Sequence, residues 1–330
     1  MAGVSSAAMA AAVTNAGGLG SIGLGVLDGT AAAAMIADVR SRTSGPFNAN
    51  VFCHQTPVRD AVLESAWIEC LRPVFGRLGA APPDRLTTPF VSFLDGNDLL
   101  RVLVNQRVPV VSFHFGLPPP GVIEALHAAG SVLLATATSL DDARQADDSG
   151  VDAVVAQGWE AGGHRGLFDP DAADERQGTF ALTRLLARHL QVPVIAAGGI
   201  MDGADIAAAL RLGAAAAQLG TAFVATDESL ATPAHRARLS TATTVMTRVL
   251  SGRPARALAN GFTELGQRVP ARSIPAFPVA IDAARALDAA ARARGDMSQG
   301  AHWAGRGAAL ARALPCAELM AMLEQELLAS

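Results

Sequence analysis

Short, continuous apolar runs alternate with amphipathic segments over the first two-thirds of the chain. Such runs are typical of parallel strands that are covered on both faces, and the segments between them have the length and pattern of helices. Strands are predicted at 20–25, 47–52, 108–113, 131–136, 151–156, 192–197 and 214–219. Helices are predicted at 5–15, 30–40, 119–129, 139–149, 179–189 and 202–212. This alternation predicts an α/β fold with a parallel sheet.

The fold class that suits this order of elements is the (β/α)8 or TIM barrel, although the pattern contains seven strands rather than eight. The chain opens with the helical stretch 5–15, which in a barrel should follow a strand. We therefore expect the first barrel strand to lie upstream of Met1, outside this sequence. An open doubly wound sheet is the alternative, and it is disfavoured because no early GxGxxG follows a strand.

The pattern changes after Thr226 and predicts three regions. Residues 1–226 are expected to form the barrel, in which a Pro-interrupted insertion lies between residues 57 and 89. Residues 227–280 are rich in Arg, Thr and Pro with few strand signals, and they predict a helical lid that binds substrate. Residues 281–330 have the pattern of amphipathic helices that pack back onto the barrel.

Composition excludes several classes of function. The net charge of −4 gives no electrostatic case for nucleic acid, no apolar run approaches the roughly 18 residues of a membrane span, and the first residues lack the basic region of a signal peptide. Cys53, Cys70 and Cys316 are widely spaced and follow no metal-binding pattern, which predicts a cytoplasmic protein without disulfides or a metal site. The chain contains no lysine, so Schiff-base catalysis and a Walker-type phosphate lysine are excluded.

Two glycine turns indicate a phosphate site. The last two predicted strands end in AAGGIMDGADI and AQLGTAF, and in barrels a phosphate often binds at the loops after strands seven and eight. Gly198 and Gly199 allow an anion to approach the backbone, and the following helix should offer free N–H groups. Gly220 and Thr221 add backbone and a hydroxyl. The alternative is that these turns require glycine only for their backbone conformation. The presence of two such turns at successive strands disfavours this alternative.

The stretch AQGWEAGGHRG, residues 156–166, follows the apolar run VDAVVA and has a composition that core packing does not explain. Gly162 and Gly163 leave room for a flat ring system, Gln157 can hydrogen-bond a heterocycle, and His164 lies at the rim. A histidine of near-neutral pKa is a natural general base for a C–H acid, or a donor to a developing oxyanion. We therefore predict that His164 is catalytic.

Other polar groups receive weaker predictions. His114 ends the strand before FG and is expected to face the same barrel mouth. Asn50 also ends a strand, where it could either hydrogen-bond a flavin edge or cap a turn. His127, His189 and His235 lie in helical, Ala- or Arg-rich surroundings and are predicted to be surface residues.

Several segments together resemble the FMN-dependent nitronate monooxygenases, once called 2-nitropropane dioxygenases. They are MAGVSS, NAGGLGSIG, FNANVF, QGWEAGGHRG, PVIAAGGIMDG, AQLGTAF and HWAGRGAALAR. The resemblance covers nearly the whole chain, and in that family a first strand precedes the MAG methionine. It implies FMN as cofactor and the oxidation of alkyl nitronates, with nitroalkanes as a further substrate class, by O2 to carbonyl compounds and nitrite. The partners expected are therefore these small molecules, with a homodimer as the assembly and neither nucleic acid nor membrane.

By this resemblance His164 falls at the position of the family's catalytic histidine. With the glycines already named, the residues predicted to bind the cofactor are Met1, Ala2, Asn50, Gln157, Gly162, Gly163, Gly198, Gly199, Gln218, Leu219, Gly220 and Thr221. His114 and Phe277 are predicted to bind substrate, with Phe277–Pro278 in place of the family's Tyr-Pro. The family's pocket tyrosines and nearby lysine have no counterpart here, and Arg165 and the Trp159 ring are expected to substitute locally.

Three alternatives remain open. An FMN-dependent enoyl-ACP reductase shares the barrel and an EAGGH-like loop, but it requires NAD(P)H and an acidic carrier protein. An IMP dehydrogenase-like barrel is suggested by GGIMDG, yet no cysteine follows a late strand to act as its nucleophile. A non-catalytic flavin-binding relic is the third, and it is kept open by the missing strand.

Overall fold

The computed structural model describes residues 1–96 and 98–330, and strands in two sheets organise it. The strands are β1 (Gly20–Gly23), β2 (Phe47–Phe52), β3 (Val110–His114), β4 (Val132–Ala137), β5 (Ala153–Gln157), β6 (Gly163–His164), β7 (Val194–Ala197), β8 (Ala216–Gln218), β9 (Thr244–Thr247) and β10 (Ala255–Leu258). A curled parallel sheet has the order β1-β2-β3-β4-β5-β7-β8, and a small antiparallel sheet has the order β6-β10-β9.

Helices connect the parallel strands and continue to the end of the chain. They are α1 (Ala7–Asn15), α2 (Gly29–Arg42), α3 (Ala61–Arg77), α4 (Asp98–Asn105), α5 (Pro120–Ala128), α6 (Leu140–Asp148), α7 (Thr179–Ala187), α8 (Gly203–Arg211), α9 (Pro233–Arg238), α10 (Gly261–Arg268), α11 (Val279–Arg292) and α12 (Cys316–Ala329). Asp28, Ser139 and Asp202 cap α2, α6 and α8, since each side chain accepts a backbone N–H of the first turn. Within the described residues, no helix has both the length and the apolar composition to cross a membrane.

The seven predicted strands of the parallel sheet are all present, and the predicted α/β barrel class is confirmed. The observed strands β3 and β5 each reach one residue further than predicted, to His114 and Gln157. This places both side chains at carboxyl ends of the sheet, which is the end at which barrel enzymes carry their sites.

Alternate residues of the strands divide the protein into an outer and an inner layer. In β2, Phe47 and Ala49 pack against the helices in the main apolar core. Asn48 and Asn50 face the other side, where both side chains donate to the Ser112 hydroxyl at 2.9 Å. The inside of the curled sheet therefore has two parts. One is apolar and surrounds Val155, and the other is polar and contains Asn48, Asn50 and Ser112.

Helix α12 lies against both ends of the curled sheet, because it packs on α8 and on α1. Its apolar side chains Leu319 and Leu323 are buried in a cluster with Met9 and Phe223. Helix α12 thus packs against helices at both edges of the parallel sheet.

The segment 227–280 contains more strand than its composition predicted. Strand β10 pairs with β9 on one side and with β6 from the 156–166 loop on the other, so a sheet ties this segment to the loop. Its four-residue strands are too short for a periodic signal. Helix α11 runs through the expected boundary at residue 280. The surface assignment of His235 was wrong: the ring is buried and stacks on His302 with centroids 4.8 Å apart.

Candidate active site

The 156–166 loop is held rigidly by its own polar side chains. The Gln157 amide donates to the His164 carbonyl oxygen at 2.9 Å and accepts the Gly166 N–H at 2.8 Å. The Glu160 carboxylate accepts the backbone N–H and the hydroxyl of Thr179, both at 2.9 Å, at the start of α7. Gln157 therefore positions His164, and most of its hydrogen-bonding capacity is already used within the loop.

Arg165 and Trp159 do not replace the missing pocket tyrosines, contrary to expectation. The Arg165 side chain is only 1% exposed, makes two contacts of 2.8 and 3.0 Å with the Asp174 carboxylate, and donates to the carbonyl oxygens of Gln157 and Gly158. The Trp159 ring faces guanidinium groups, including that of Arg165 at 5.5 Å. Both side chains serve to hold the loop, because a buried arginine requires all of these acceptors.

Aromatic rings enclose the His164 imidazole at the barrel mouth. Ring centroids lie 5.4 Å away for Phe115, 5.3 Å for Phe277 and 4.9 Å for Trp303. The Nε2 atom of His164 is buried and has no hydrogen-bond partner among residues 1–96 and 98–330. A buried polar atom without a partner costs free energy, and native proteins keep few of them. This nitrogen is therefore the atom of the loop best placed to receive a ligand.

Two further histidines belong to the same ring cluster. The predicted residue His114 has its Nε2 3.3 Å from the His164 carbonyl oxygen, and its ring lies 4.4 Å from Phe115. His54, which the pattern did not single out, packs edge-on against Phe277 at 4.8 Å. Its signal in the sequence was its place two residues beyond the end of β2, where a barrel directs side chains to the mouth.

These imidazoles are neutral near pH 7. Burial, reinforced by neighbouring positive charge including that of Arg253, lowers the pKa of His164 and of His114 from 6.5 to about 3, and that of His54 to about 4. The near-neutral pKa expected for His164 was therefore wrong. A neutral imidazole remains a hydrogen-bond donor through one nitrogen and an acceptor through the other, and an anion bound beside it would raise its pKa again.

Folding stability should consequently decrease in mild acid. The buried histidines bind protons with a pKa near 6.5 when unfolded but with a pKa of about 3 to 4 when folded, and His235 and His302 (each about 4) behave alike. Their contribution is present above pH 6.5 and is lost as the pH falls toward 4. We expect the urea midpoint to be level from pH 8 to 7 and to fall between pH 6.5 and 5.5, before most carboxylates titrate. A constant midpoint down to pH 5.5 at fixed ionic strength would contradict this.

The two glycine turns form a nest of free backbone donors. Gly198 and Gly199 have φ values of +118° and +72°, which side chains rarely adopt. Among residues 1–96 and 98–330, the N–H groups of Gly199, Ile200, Gly220 and Thr221 find no acceptor. Successive free N–H groups at adjacent strand ends are a recurrent way of binding a phosphate. The predicted phosphate site thus has suitable donors.

The helix after this turn does not contribute as predicted. The N–H groups at the start of α8 are already bonded to carboxylates, since Asp202 accepts from Asp205 at 2.9 Å and Glu326 accepts from Gly203 at 3.0 Å. The Asp205 carboxylate in turn accepts the Met201 N–H at 2.9 Å. Three carboxylates occupy the positive end of the helix, so only the turn itself remains open to an anion.

A segment from the end of the chain joins the nest to the histidine cluster. Trp303 lies against His164, the Gly305 N–H donates to the Thr221 hydroxyl at 2.9 Å, and Gly307 packs beside Gly199. Residues 303–307 span at most about 14 Å of extended chain. The nest and the imidazole are therefore separated by a distance that one elongated cofactor could bridge.

The remaining residues that were predicted to bind the cofactor differ in their surroundings. The Asn50 amide donates to Ser112, and within residues 1–96 and 98–330 its oxygen accepts no hydrogen bond. Ala2 packs beside Gly23, and the Met1 sulfur lies 3.5 Å from the position of a Cβ on Gly220.

Other residues that were predicted to bind the cofactor have different surroundings from those expected. Room beside Gly162 is filled by Ala304 and Gly305 rather than left for a ring, whereas space beside Gly163 is open. Leu219 packs among apolar side chains on α8, and the Gln218 side chain is exposed.

Fold and site together define an α/β-barrel enzyme with a histidine at the mouth, and comparison with known proteins identifies its family. The family model described as nitronate monooxygenase matches residues 1–326. The nitronate monooxygenase of Paraburkholderia phytofirmans is 55% identical over 99% of this chain and 90% of that protein. That of Pseudomonas aeruginosa is 49% identical over 99% and 94%. This chain therefore belongs to the nitronate monooxygenase family, whose members are oxidoreductases.

Solved structures agree on the fold. The nitroalkane oxidase from Streptomyces ansochromogenes superimposes with a TM-score of 0.88 at 38% identity, covering 99% of this chain and 93% of that one. FabK from Thermotoga maritima superimposes with a TM-score of 0.73 at 29% identity, covering 99% and 90%. Similarity is thus greater to the nitroalkane oxidase than to FabK.

Proposed function

We propose that this protein is an FMN-dependent nitronate monooxygenase that oxidises alkyl nitronates with O2 to carbonyl compounds and nitrite. The observation that carries the proposal is the unpartnered, buried Nε2 of His164 inside an aromatic enclosure. A small anion with hydrogen-bond acceptors fits such an enclosure, and a nitronate is one. The family membership supports the reaction class.

The free donors of the two glycine turns suit the phosphate of FMN. We propose that the N–H groups of Gly199, Ile200, Gly220 and Thr221 hold it, with the Thr221 hydroxyl, which accepts from Gly305 and can still donate. Asn50, whose amide oxygen is free, would bond the ring system near Ala2 and Gly163. When bound, FMN supplies the redox chemistry, accepting electrons from the nitronate and delivering them to O2.

The protein's own groups bind and orient the substrate. His164 would donate a hydrogen bond from Nε2 to a nitro oxygen of the anion, which its low pKa permits because the ring is neutral. Phe115 and Phe277 would exclude water from the same space. With a neutral nitroalkane, His164 would first accept the proton of the α-carbon, and a weakly basic imidazole makes this the slower reaction.

Three further features are proposed with this function. Residues 227–280 would cover the substrate side of the barrel, since β10 pairs with the His164 strand. The protein would act in the cytoplasm, and two copies would form a homodimer. Size-exclusion chromatography with light scattering tests the last of these.

A visible spectrum of the purified protein is the first test. A bound flavin, detected by its visible absorbance, is expected in roughly equimolar amount, and ethyl nitronate with O2 should yield acetaldehyde and nitrite. NADH under anaerobic conditions should leave the flavin oxidised. Bleaching by NADH together with absence of nitrite would favour an enoyl-ACP reductase, and a colourless protein would favour a relic.

A further inference from the structure

One arginine near the histidine cluster has no ion-pair partner within the described residues, and the carboxylates of Asp169 and Asp171 act on it only from beyond ion-pair distance. Arg253 lies just before β10 and is 3% exposed. One end of its guanidinium donates to the Leu167 carbonyl oxygen, whereas its Nε is buried without any acceptor among residues 1–96 and 98–330. No carboxylate in that part of the chain lies within ion-pair distance of it.

Two neighbouring arginines have carboxylate partners, whereas Arg256 on β10 is also buried without one in the described part of the chain and donates from Nε and a terminal nitrogen to the Trp159 carbonyl oxygen. Arg165 is equally buried, but it is paired with Asp174 and bonded to two carbonyl oxygens. Arg248, on the same segment as Arg253, forms an ion pair with Asp171 at 2.9 Å. Within residues 1–96 and 98–330, Arg253 is the one of these four arginines whose buried Nε finds no acceptor, so part of its guanidinium is left for another group to bind.

This guanidinium, which has no ion-pair partner within residues 1–96 and 98–330, lies at the candidate active site. The Arg253 guanidinium carbon is 4.3 Å from the centroid of the Phe115 ring, and the same ring is a neighbour of His114 and His164. Phe115 has a φ of +76° and is 1% exposed. Such a conformation is a genuine outlier for a bulky residue, and outliers of this kind cluster at ligand sites.

A buried cation is costly unless an anion accompanies it. We propose that Arg253 is the specificity-determining residue of this site, which favours an anionic over a neutral substrate by supplying the positive charge that a bound anion neutralises. This inference rests on the proposed function for the identity of that anion, a nitronate. Arg253 acts across the Phe115 ring and through its unpartnered Nε, and proton transfer remains with His164.

Kinetics with a matched pair of substrates test the proposal. Arg253→Met should lower kcat/KM for ethyl nitronate relative to that for neutral nitroethane by roughly tenfold to thirtyfold, mainly through KM, as expected for one charge several ångströms away in a partly shielded site. Arg253→Lys should retain most of the preference, because it keeps the charge. Arg248→Met, which removes a partly exposed arginine of the same segment, should leave the ratio unchanged.

An equal loss for both substrates in Arg253→Met, with Arg253→Lys equally impaired, would show a purely structural role and overturn the proposal. Flavin content and melting temperature of each variant identify one that fails to fold. If Arg253→Met does not fold, Arg253→Lys decides alone: retention of the nitronate preference supports the charge, and its loss contradicts it.

Bromide provides a readout that does not depend on turnover. Crystals of the wild-type protein soaked in potassium bromide should show an anomalous peak among Phe115, Phe277 and His164, and crystals of Arg253→Lys should keep it. Crystals of Arg253→Met should lose it. A peak unchanged in Arg253→Met, or none in the wild type, would refute the anion site. If the bromide site is present but ethyl nitronate is not oxidised, the proposed function fails while the anion site stands.

Discussion

Replacing His164 with alanine is expected to leave FMN bound and to remove turnover of neutral nitroalkanes. The imidazole is the proposed acceptor of the α-carbon proton, and its loss should lower kcat/KM for nitroethane by roughly 10²- to 10⁴-fold. With ethyl nitronate the proton is already absent, so the loss should be that of one hydrogen bond to developing charge, about 10²-fold or somewhat more. Flavin retention is expected because the N–H donors of the glycine turns do not involve this side chain.

Initial rates of nitrite formation with each substrate, with flavin content measured alongside, test this prediction. His127→Ala is a suitable control, since that ring is on α5 at the surface and is paired with Asp152. Unchanged turnover of nitroethane in His164→Ala would refute the assigned role. Loss of flavin together with activity would show instead that the ring holds the cofactor.

Replacing Gly198 with alanine should greatly reduce cofactor content. Its φ of +118° is strained for any side chain, and a Cβ there would lie 2.9 Å from the Ala161 nitrogen and from the Thr179 hydroxyl. The turn would have to move, and the adjacent N–H groups of Gly199 and Ile200 would move with it. A conformational strain of about 1–3 kcal/mol corresponds to weakening of FMN binding by roughly 10- to 100-fold.

Gly213→Ala provides a control for backbone strain alone. Gly213 has a φ of +104°, and a Cβ there would lie 3.0 Å from the Ala187 Cβ, but this glycine follows α8 at the opposite end of the sheet from the turns. Both variants should lose stability in urea, whereas only Gly198→Ala should lose affinity for FMN in a fluorescence titration. Equal FMN affinity in the two variants would mean that the turn does not hold the phosphate.

Local patterns in the chain were sufficient to predict the strands and helices of the fold and part of the candidate active site. Runs such as FNANVF and SVLLAT are apolar because both faces of a parallel strand are covered, so their positions could be predicted to within a residue or two. The glycine turn after β7 could be located for a similar reason, since Gly198 and Gly199 take a positive φ that favours glycine, whereas Gly220 after β8 has a φ of −114°. His164 and His114 followed from their positions next to strand ends.

Other contributions could not be predicted because they depend on contacts between distant parts of the chain. Trp303 reaches His164 from a position more than a hundred residues away, and Phe277, which is similarly distant along the chain, was assigned to the site only through the family resemblance. Arg165 turned out to pair with Asp174, and the start of α8 turned out to be bonded to Glu326 from α12. No local pattern distinguishes an arginine with a carboxylate partner from one without.

By itself, then, the sequence determined the order of strands and helices, the glycine turns, the resemblance to its family and the positions of His164 and His114, since these depend on backbone preferences and short-range patterns. Only the tertiary structure decided which polar groups are neutral, paired or left open. Burial and neighbouring charge set the protonation of His164, and packing leaves the Arg253 Nε without an acceptor within residues 1–96 and 98–330; both are properties of the assembled site rather than of any segment.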